Sequence, residues 1–170
     1  MRNVVYSVAM SLDGYIAGPR GEFDWIVMDP DIDFKAQFAR FDTLLIGRKT
    51  WQAMRDRGGP GMPGMRTIVF SRTLQPAECP EAELSDSPED LVATLRPAAG
   101  KDLWLFGGGG LFRSLLDVGL VDSVEIAIVP VLLGGGIPML PAGERRARLR
   151  LNAHRVLPKS GIVQLTYRAV

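Results

Sequence analysis

Four consecutive glycines, Gly107–Gly110, stand between the apolar run Leu103–Phe106 and a segment whose Leu111, Phe112, Leu115, Leu116 and Leu120 share one helical face. Glycine is entropically costly, so a run of four at a strand-to-helix junction implies backbone that must approach something closely. Such a junction aims backbone N–H groups and a helix N-terminus at one point, which suits a pyrophosphate. A plain tight turn is the competing explanation. The dinucleotide fingerprint itself is absent. The glycines do not follow the first strand, and neither Asp122 nor Glu125 replaces the acid expected about twenty residues on.

Two further junctions have the same character. In "LLIGRKTW", Leu44–Trp51, Gly47 lets the chain turn, Arg48 and Lys49 bring positive charge, and Thr50 can cap the new helix or bind an anion. In "TIVFSRT", Ser71 and Arg72 leave another strand end. Each arginine alone reads equally well as a solvated surface group. Three strand ends carrying glycine, hydroxyl or guanidinium groups together point to a phosphate site, because open α/β sheets bind ligands at that edge.

Other chemistries have few residues to work with. The chain contains one histidine, His154, and one cysteine, Cys79. An internal disulfide is excluded, a reducing cytoplasm is the expected compartment, and zinc sites and serine–histidine relays lack their ligands. His154 lies in an alternating strand and reads as structural. A formal net charge of +1 points to neither nucleic acid nor a membrane surface, and no apolar run approaches a membrane span. The expected partner is a small molecule.

The elements that must hold these junctions alternate along the chain. Val4–Met10, Thr43–Ile46, Thr67–Phe70 and Leu103–Phe106 are short apolar or β-branched runs, as buried sheet strands require. Phe34, Phe38 and Phe41 recur at helical spacing. "SPEDLVATLR" places Ser87 as N-cap, Pro88 in the first turn and two acids after it. Val124–Val131, Leu149–Val156 and Ile162–Arg168 alternate and read as antiparallel strands. Gly58–Gly64 reads as one flexible loop. With 170 residues, 46% hydrophobic and 23% charged, the chain is expected to be one domain, 1–170. Its expected class is α/β, with a mixed, mostly parallel sheet flanked by helices and closed by antiparallel C-terminal strands.

The motifs "SLDGYIAG", "LLIGRKTW", "PGMRTIVFSR", "FGGGGLF" and "VPVLLGGGIPML" resemble, in this order, the dihydrofolate reductase-like superfamily. They look most like its branch related to the C-terminal reductase domain of bifunctional riboflavin-biosynthesis deaminase–reductases. The resemblance covers nearly the whole chain. It implies an NADPH-dependent reductase, often a homodimer. Carried over by motif, Gly47, Arg48, Lys49 and Thr50 would meet cofactor phosphates, and Ser71 and Arg72 the adenosine 2′-phosphate. Gly107, Gly108, Gly109 and Gly110 would pass under the pyrophosphate, with an unusual, cis Gly107–Gly108 peptide. Ala9 and Ile16 would lie near the nicotinamide. Reduction of a carbon–nitrogen or carbon–oxygen double bond also needs a proton. Asp31 lies about where the resemblance places the family's acid, and Asp33 is its rival, since either can instead cap the Phe34 helix.

The chain departs from the true dihydrofolate reductases in two places. The arginine that grips the folate tail falls at Met65, and the threonine that supports the catalytic acid falls near Ala127. Met65, with Trp25 and Phe34, would favour a compact, flat, less charged substrate, so dihydrofolate is expected to be a poor one. The ligand set of a zinc deaminase is missing. The leading expectation is a stand-alone reductase of a small heterocyclic or carbonyl-type substrate. The alternatives are the 5-amino-6-(5-phosphoribosylamino)uracil reductase of riboflavin biosynthesis, and a catalytically silent NADP-binding sensor or interaction module.

Overall fold

The computed structural model describes residues 1–59 and 61–170; Pro60, within the expected Gly58–Gly64 loop, lies outside them. The chain forms β1 (Val4–Ser11), β2 (Tyr15–Ala17), α1 (Phe34–Ala39), β3 (Phe41–Gly47), α2 (Arg48–Arg55), β4 (Arg66–Phe70), β5 (Glu83–Ser85), α3 (Pro88–Leu95), β6 (Asp102–Gly107), α4 (Gly109–Asp117), β7 (Ser123–Val129), β8 (Ile137–Pro138), β9 (Leu149–Val156) and β10 (Val163–Ala169). Eight strands form one sheet in the order β5-β4-β3-β6-β1-β7-β10-β9, and β2 pairs with β8 in a small second sheet. β5 through β7 are parallel neighbours, while β10 runs antiparallel to both β7 and β9.

Period-2 alternation divides the core between the two sheet faces. Val4, Tyr6, Leu45, Ile68, Leu103, Leu105 and Val124 join Phe112 and Leu115 of α4 on one face. Val5, Leu44, Ile46, Val69 and Trp104 join Trp51 of α2 on the other. Both helices are thereby fixed to the strands that precede them. Their first turns are left at the carboxyl ends of the parallel strands.

Two expectations are corrected. The Val124–Val131 run is a strand, β7, but it runs parallel to β1 and antiparallel only to β10. Alternation reports that one face is less buried than the other and carries no information on direction. Phe41 does not extend the α1 helix. It opens β3, buried, with its ring centroid 5.3 Å from that of Trp104, because core burial outweighs the end of a short helical pattern. Ser87 is the N-cap residue of α3, as expected, although its hydroxyl donates to Asp86 and accepts no first-turn amide.

Candidate functional site

A cleft of about 1290 Å³ opens where β1, β3 and β6 end, lined by Ala9, Gly47 and Gly107 among others. Beside it, and sharing Gly47, Gly110 and Leu111, a pocket of about 320 Å³ extends to Ser71, Arg72, Asp86 and Glu89. Small-ligand pockets run to roughly 300–1,000 Å³, so the main cleft is larger than a single small molecule needs. Among the described residues no group of three or more His, Cys, Asp or Glu is placed to hold a metal, and no helix is long and apolar enough to cross a membrane.

One end of the cleft is backbone. α2 begins after Gly47 and α4 after Gly108, and neither helix has a side-chain cap on its first-turn amides. The two starts are adjacent, since a Cβ on Gly47 would lie 3.7 Å from the Gly108 nitrogen. The Gly107–Gly108 peptide is cis, and Gly107 has φ +145°. Thr50 stands over this pair, its Oγ1 3.4 Å from where a Gly108 Cβ would be. Exposed Arg48 and Lys49 line the same end. Two uncapped helix N-termini with two cations make a strong anion site. Gly109 and Gly110 differ in what surrounds them. A Cβ on Gly109 would meet the Pro138 and Met139 carbonyl oxygens at 2.8 Å, whereas one on Gly110 meets nothing within 4 Å. A phosphate-bearing cofactor therefore fits here, because open space lies over glycine backbone.

In the smaller pocket, Ser71 Oγ already accepts the Thr73 and Leu74 amides at 3.1 and 3.0 Å, shaping the turn after β4. Arg72 is exposed beside it. Ala9 and Ile16 both line the main cleft. Ile16 is held by ties that the sequence did not disclose. Asp13 accepts the Ser11 hydroxyl at 2.6 Å and the Gly134 amide at 2.7 Å, and also bonds the Leu133 amide. The Ser11 hydroxyl, then these amides, hold its carboxyl below the usual range although desolvation opposes them. Gly136 completes the clasp, because at φ +154° its Cβ would fall 2.3 Å from the Ala17 carbonyl oxygen.

The other end is aromatic and polar by turns. Phe34, Gln37 and Phe38 of α1 line this end together with Trp104 and Phe106 of β6. Ring centroids are 5.9 Å apart for Phe34–Phe38 and 5.2 Å for Phe38–Trp104. The sheet floor carries Ser7, Glu125 and Thr166 in one register row, and Ala127, Gln164 and Arg155 in the next. Gln37 donates to Ser7 Oγ at 3.2 Å. Arg40, the C-cap of α1, grips both oxygens of Glu125 at 3.0 and 2.6 Å. That carboxylate raises the already high guanidinium pKa further. α1 buries no residue fully, so these two contacts and the Phe38 stack locate it.

The acids and apolar residues named from sequence separate. Asp33 lines the cleft and caps α1, accepting the Ala36 amide at 2.9 Å. Asp31 is not on the cleft lining; Lys159 donates to it at 2.8 Å. Asp29, buried and unremarked in the sequence, accepts the Asp31 and Ser160 amides and so fixes this acidic stretch to the β9–β10 turn. The Ser160 side chain, ahead of the Asp31 amide, keeps the Asp29 carboxyl below its ordinary pKa. Phe34 lines the cleft, but Met65 and Trp25 do not. Met65 packs against the Trp51–Trp104 core with Met54 and Met62, and Trp25 packs against Val129, Leu157 and Ile162. Met62, from the same loop as Met65, reaches the cleft instead.

Sequence reasoning missed Gln37, Arg40, Gln164 and Thr166, and considered Glu125 only as a ribose acid. One signal was present. Glu125 interrupts the apolar run from Val124 to Val129, and a charged residue on a partly buried face needs a partner. The partner of Glu125 is Arg40, which is 85 residues away.

The model of the RibD C-terminal domain family matches residues 2–163. The Bacillus subtilis protein YyaP is 33% identical over 98% of this chain and 94% of its own. A solved structure from Shewanella sp. PV-4, named for riboflavin biosynthesis, superposes with TM-score 0.84 at 29% identity over 100% of this chain and 99% of that one. Dihydrofolate reductase from Enterococcus faecalis, complexed with NADP(H), gives TM-score 0.72 at 18% identity over 98% and 96% of the two chains, which is a likeness of fold. With the family model spanning almost its full length, the chain belongs to the RibD C-terminal domain family.

Proposed function

We propose that the protein is an NADPH-dependent reductase of a small heterocyclic or carbonyl-type substrate. The carrying observation is the glycine end of the cleft, where two uncapped helix N-termini meet beside Arg48 and Lys49. Bound NADPH would supply the hydride. The first-turn amides of α2 and α4 would hold its phosphates, Thr50 would brace the Gly107–Gly108 backbone, and Ala9 and Ile16 would flank the nicotinamide. The aromatic end would seat the substrate ring, with Asp33 beside it to deliver the proton. Met65 packs in the core and the nearby Arg57 lines the cleft, so Met65 gives no ground against dihydrofolate, which joins the substrates to be tried. NADPH oxidation measured against pterins, flavin precursors and small carbonyls tests the assignment, and absence of NADPH binding overturns it.

The cofactor is expected to be NADPH in preference to NADH. Arg48 and Arg72 are the cations available to the 2′-phosphate, and a charge-assisted hydrogen bond contributes about 1.5–3 kcal/mol, or roughly tenfold to a hundredfold in affinity. Dissociation constants for both cofactors should differ in the wild type and converge in Arg72→Ala. Equal wild-type values would reject the preference.

The 5-amino-6-(5-phosphoribosylamino)uracil reductase reading is favoured by the family match. It needs a cation for the ribose phosphate; Arg40 is already committed to Glu125, which leaves Arg57 and Arg155 of the cleft lining for that role.

We also infer a homodimer. β9 is exposed along its whole length at the sheet edge. Leu149, Leu151 and Val156, exposed by 40%, 50% and 59%, stand opposite Ala169, Tyr167 and Val163 on one face. An uncovered apolar edge is a liability for a monomer. Light scattering at micromolar concentration should give a dimer, and Leu151→Asp a monomer. A monomeric wild type would reject the inference.

A further inference from the structure

The substrate end of the cleft holds a couple of opposite charges that satisfy each other. Arg40 and Glu125 lie 2.6 Å apart with both guanidinium arms on both carboxylate oxygens, and the Glu125 side chain is only 16% exposed. Both residues line the cleft, between the rings of Phe34, Phe38, Trp104 and Phe106 and the neutral Ser7, Gln37, Gln164 and Thr166. Most other charged groups on this lining are placed apart. Arg48, Lys49 and Arg57 are on or just after α2. Asp33 caps the far end of α1. Arg155 is nearer, beside Gln164 in the next register row of the floor, but on the exposed edge strand, where solvent screens it.

We propose that the Arg40–Glu125 couple makes the inner end of the cleft select an uncharged, flat aromatic or heteroaromatic substrate, and that Glu125 is the residue that excludes anions. It rests on the reductase reading above and names that enzyme's substrate class. A phosphate or carboxylate entering here must compete with Glu125 for Arg40 and also meets the Glu125 charge at close range. In a partly desolvated cleft that repulsion is weakly screened. A cation is repelled by Arg40 in the same way. A neutral ring pays neither cost. It can stack on the aromatic wall and take hydrogen bonds from the Gln37, Gln164 and Thr166 side chains.

Three isosteric probes separate the cases: benzamide, benzoate and benzamidine, which are neutral, anionic and cationic at pH 7.5. Calorimetric titration uses the full chain saturated with NADP+, so that the cofactor end is filled and no turnover occurs. The wild type should bind benzamide about tenfold or more tighter than either charged probe. In Glu125→Gln, benzoate should gain about tenfold while benzamide moves less than about threefold. Arg40→Met should instead favour benzamidine. The proposal is overturned by benzoate matching benzamide in the wild type, by an unchanged benzoate-to-benzamide ratio in Glu125→Gln, or by no benzamide binding at millimolar concentration. If Glu125→Gln fails to fold, the wild-type ratios and Arg40→Met decide. Loss of NADP+ binding in the wild type would sink the reductase reading instead, and it is measured first.

Discussion

Gly109→Ala is expected to destabilise the protein by about 1–3 kcal/mol, the usual cost of forcing an extra carbon into a packed site. Gly110→Ala is expected to leave stability unchanged or raise it by up to about 1 kcal/mol. Yet both should weaken NADPH binding by about tenfold or more. The two glycines are neighbours in the first turn of α4, and their surroundings explain the contrast. The new methyl at Gly109 meets two backbone carbonyl oxygens at 2.8 Å and the Pro141 ring at 2.9 Å. None of these is the free end of a flexible side chain, so β8 must move away from α4, and Ile137 and Pro138 of the cleft wall move with it. At Gly110 the methyl meets no atom within 4 Å. It improves helix propensity and occupies the space in which a phosphate would sit. Thermal melts should resolve the stability difference, since 1 kcal/mol moves Tm by roughly 2–4 °C at this size. Titration with NADPH measures the other half. A Gly110→Ala protein with wild-type affinity would reduce the glycine run to a tight turn.

The junctions were legible because their signals are local. A strand-length apolar run, a glycine and an amphipathic helix are adjacent in sequence, and Gly47–Thr50 and Gly107–Gly110 all line the cleft. Sheet order and strand direction were less legible, as β7 shows. Ser123–Val129 alternates as an antiparallel strand would, but α4 returns the chain so that β7 lies parallel to β1. The substrate end was the least legible. Its couple joins Arg40 to Glu125 and its floor adds Thr166 from a third element, so only the folded sheet brings them into one place. Met65 and Trp25 failed for a related reason. An apolar side chain in a loop satisfies core and cleft equally, and spacing does not say which surface it meets. Asp31 was placed by the family resemblance, and that position in sequence carries no information about Lys159, which holds it.

Asp33→Asn is expected to lower turnover by about 10²–10⁴-fold, the usual contribution of a positioned general acid, while leaving the fold and NADPH affinity intact. The substitution is unusually clean. Asparagine caps helices as well as aspartate does, so the bond to the Ala36 amide, and with it the position of Phe34 and Phe38, should survive the loss of the titratable group. The other nearby acids are occupied elsewhere. Glu125 is held by both arms of Arg40, Asp29 by backbone amides, and Asp31 by Lys159 outside the cleft lining. Asp31→Asn should accordingly change turnover by less than about threefold. The measurement is the initial rate of NADPH oxidation, on whichever carbonyl or heterocycle turns over fastest, from about pH 5 to 9. Hydride delivery to carbon leaves a basic nitrogen or oxygen that must take a proton, so removing its source should depress kcat more than KM. A wild-type rate in Asp33→Asn would assign the proton to water, which reaches this exposed side chain freely. A large loss confined to Asp31→Asn would return the role to the residue that the family resemblance favoured.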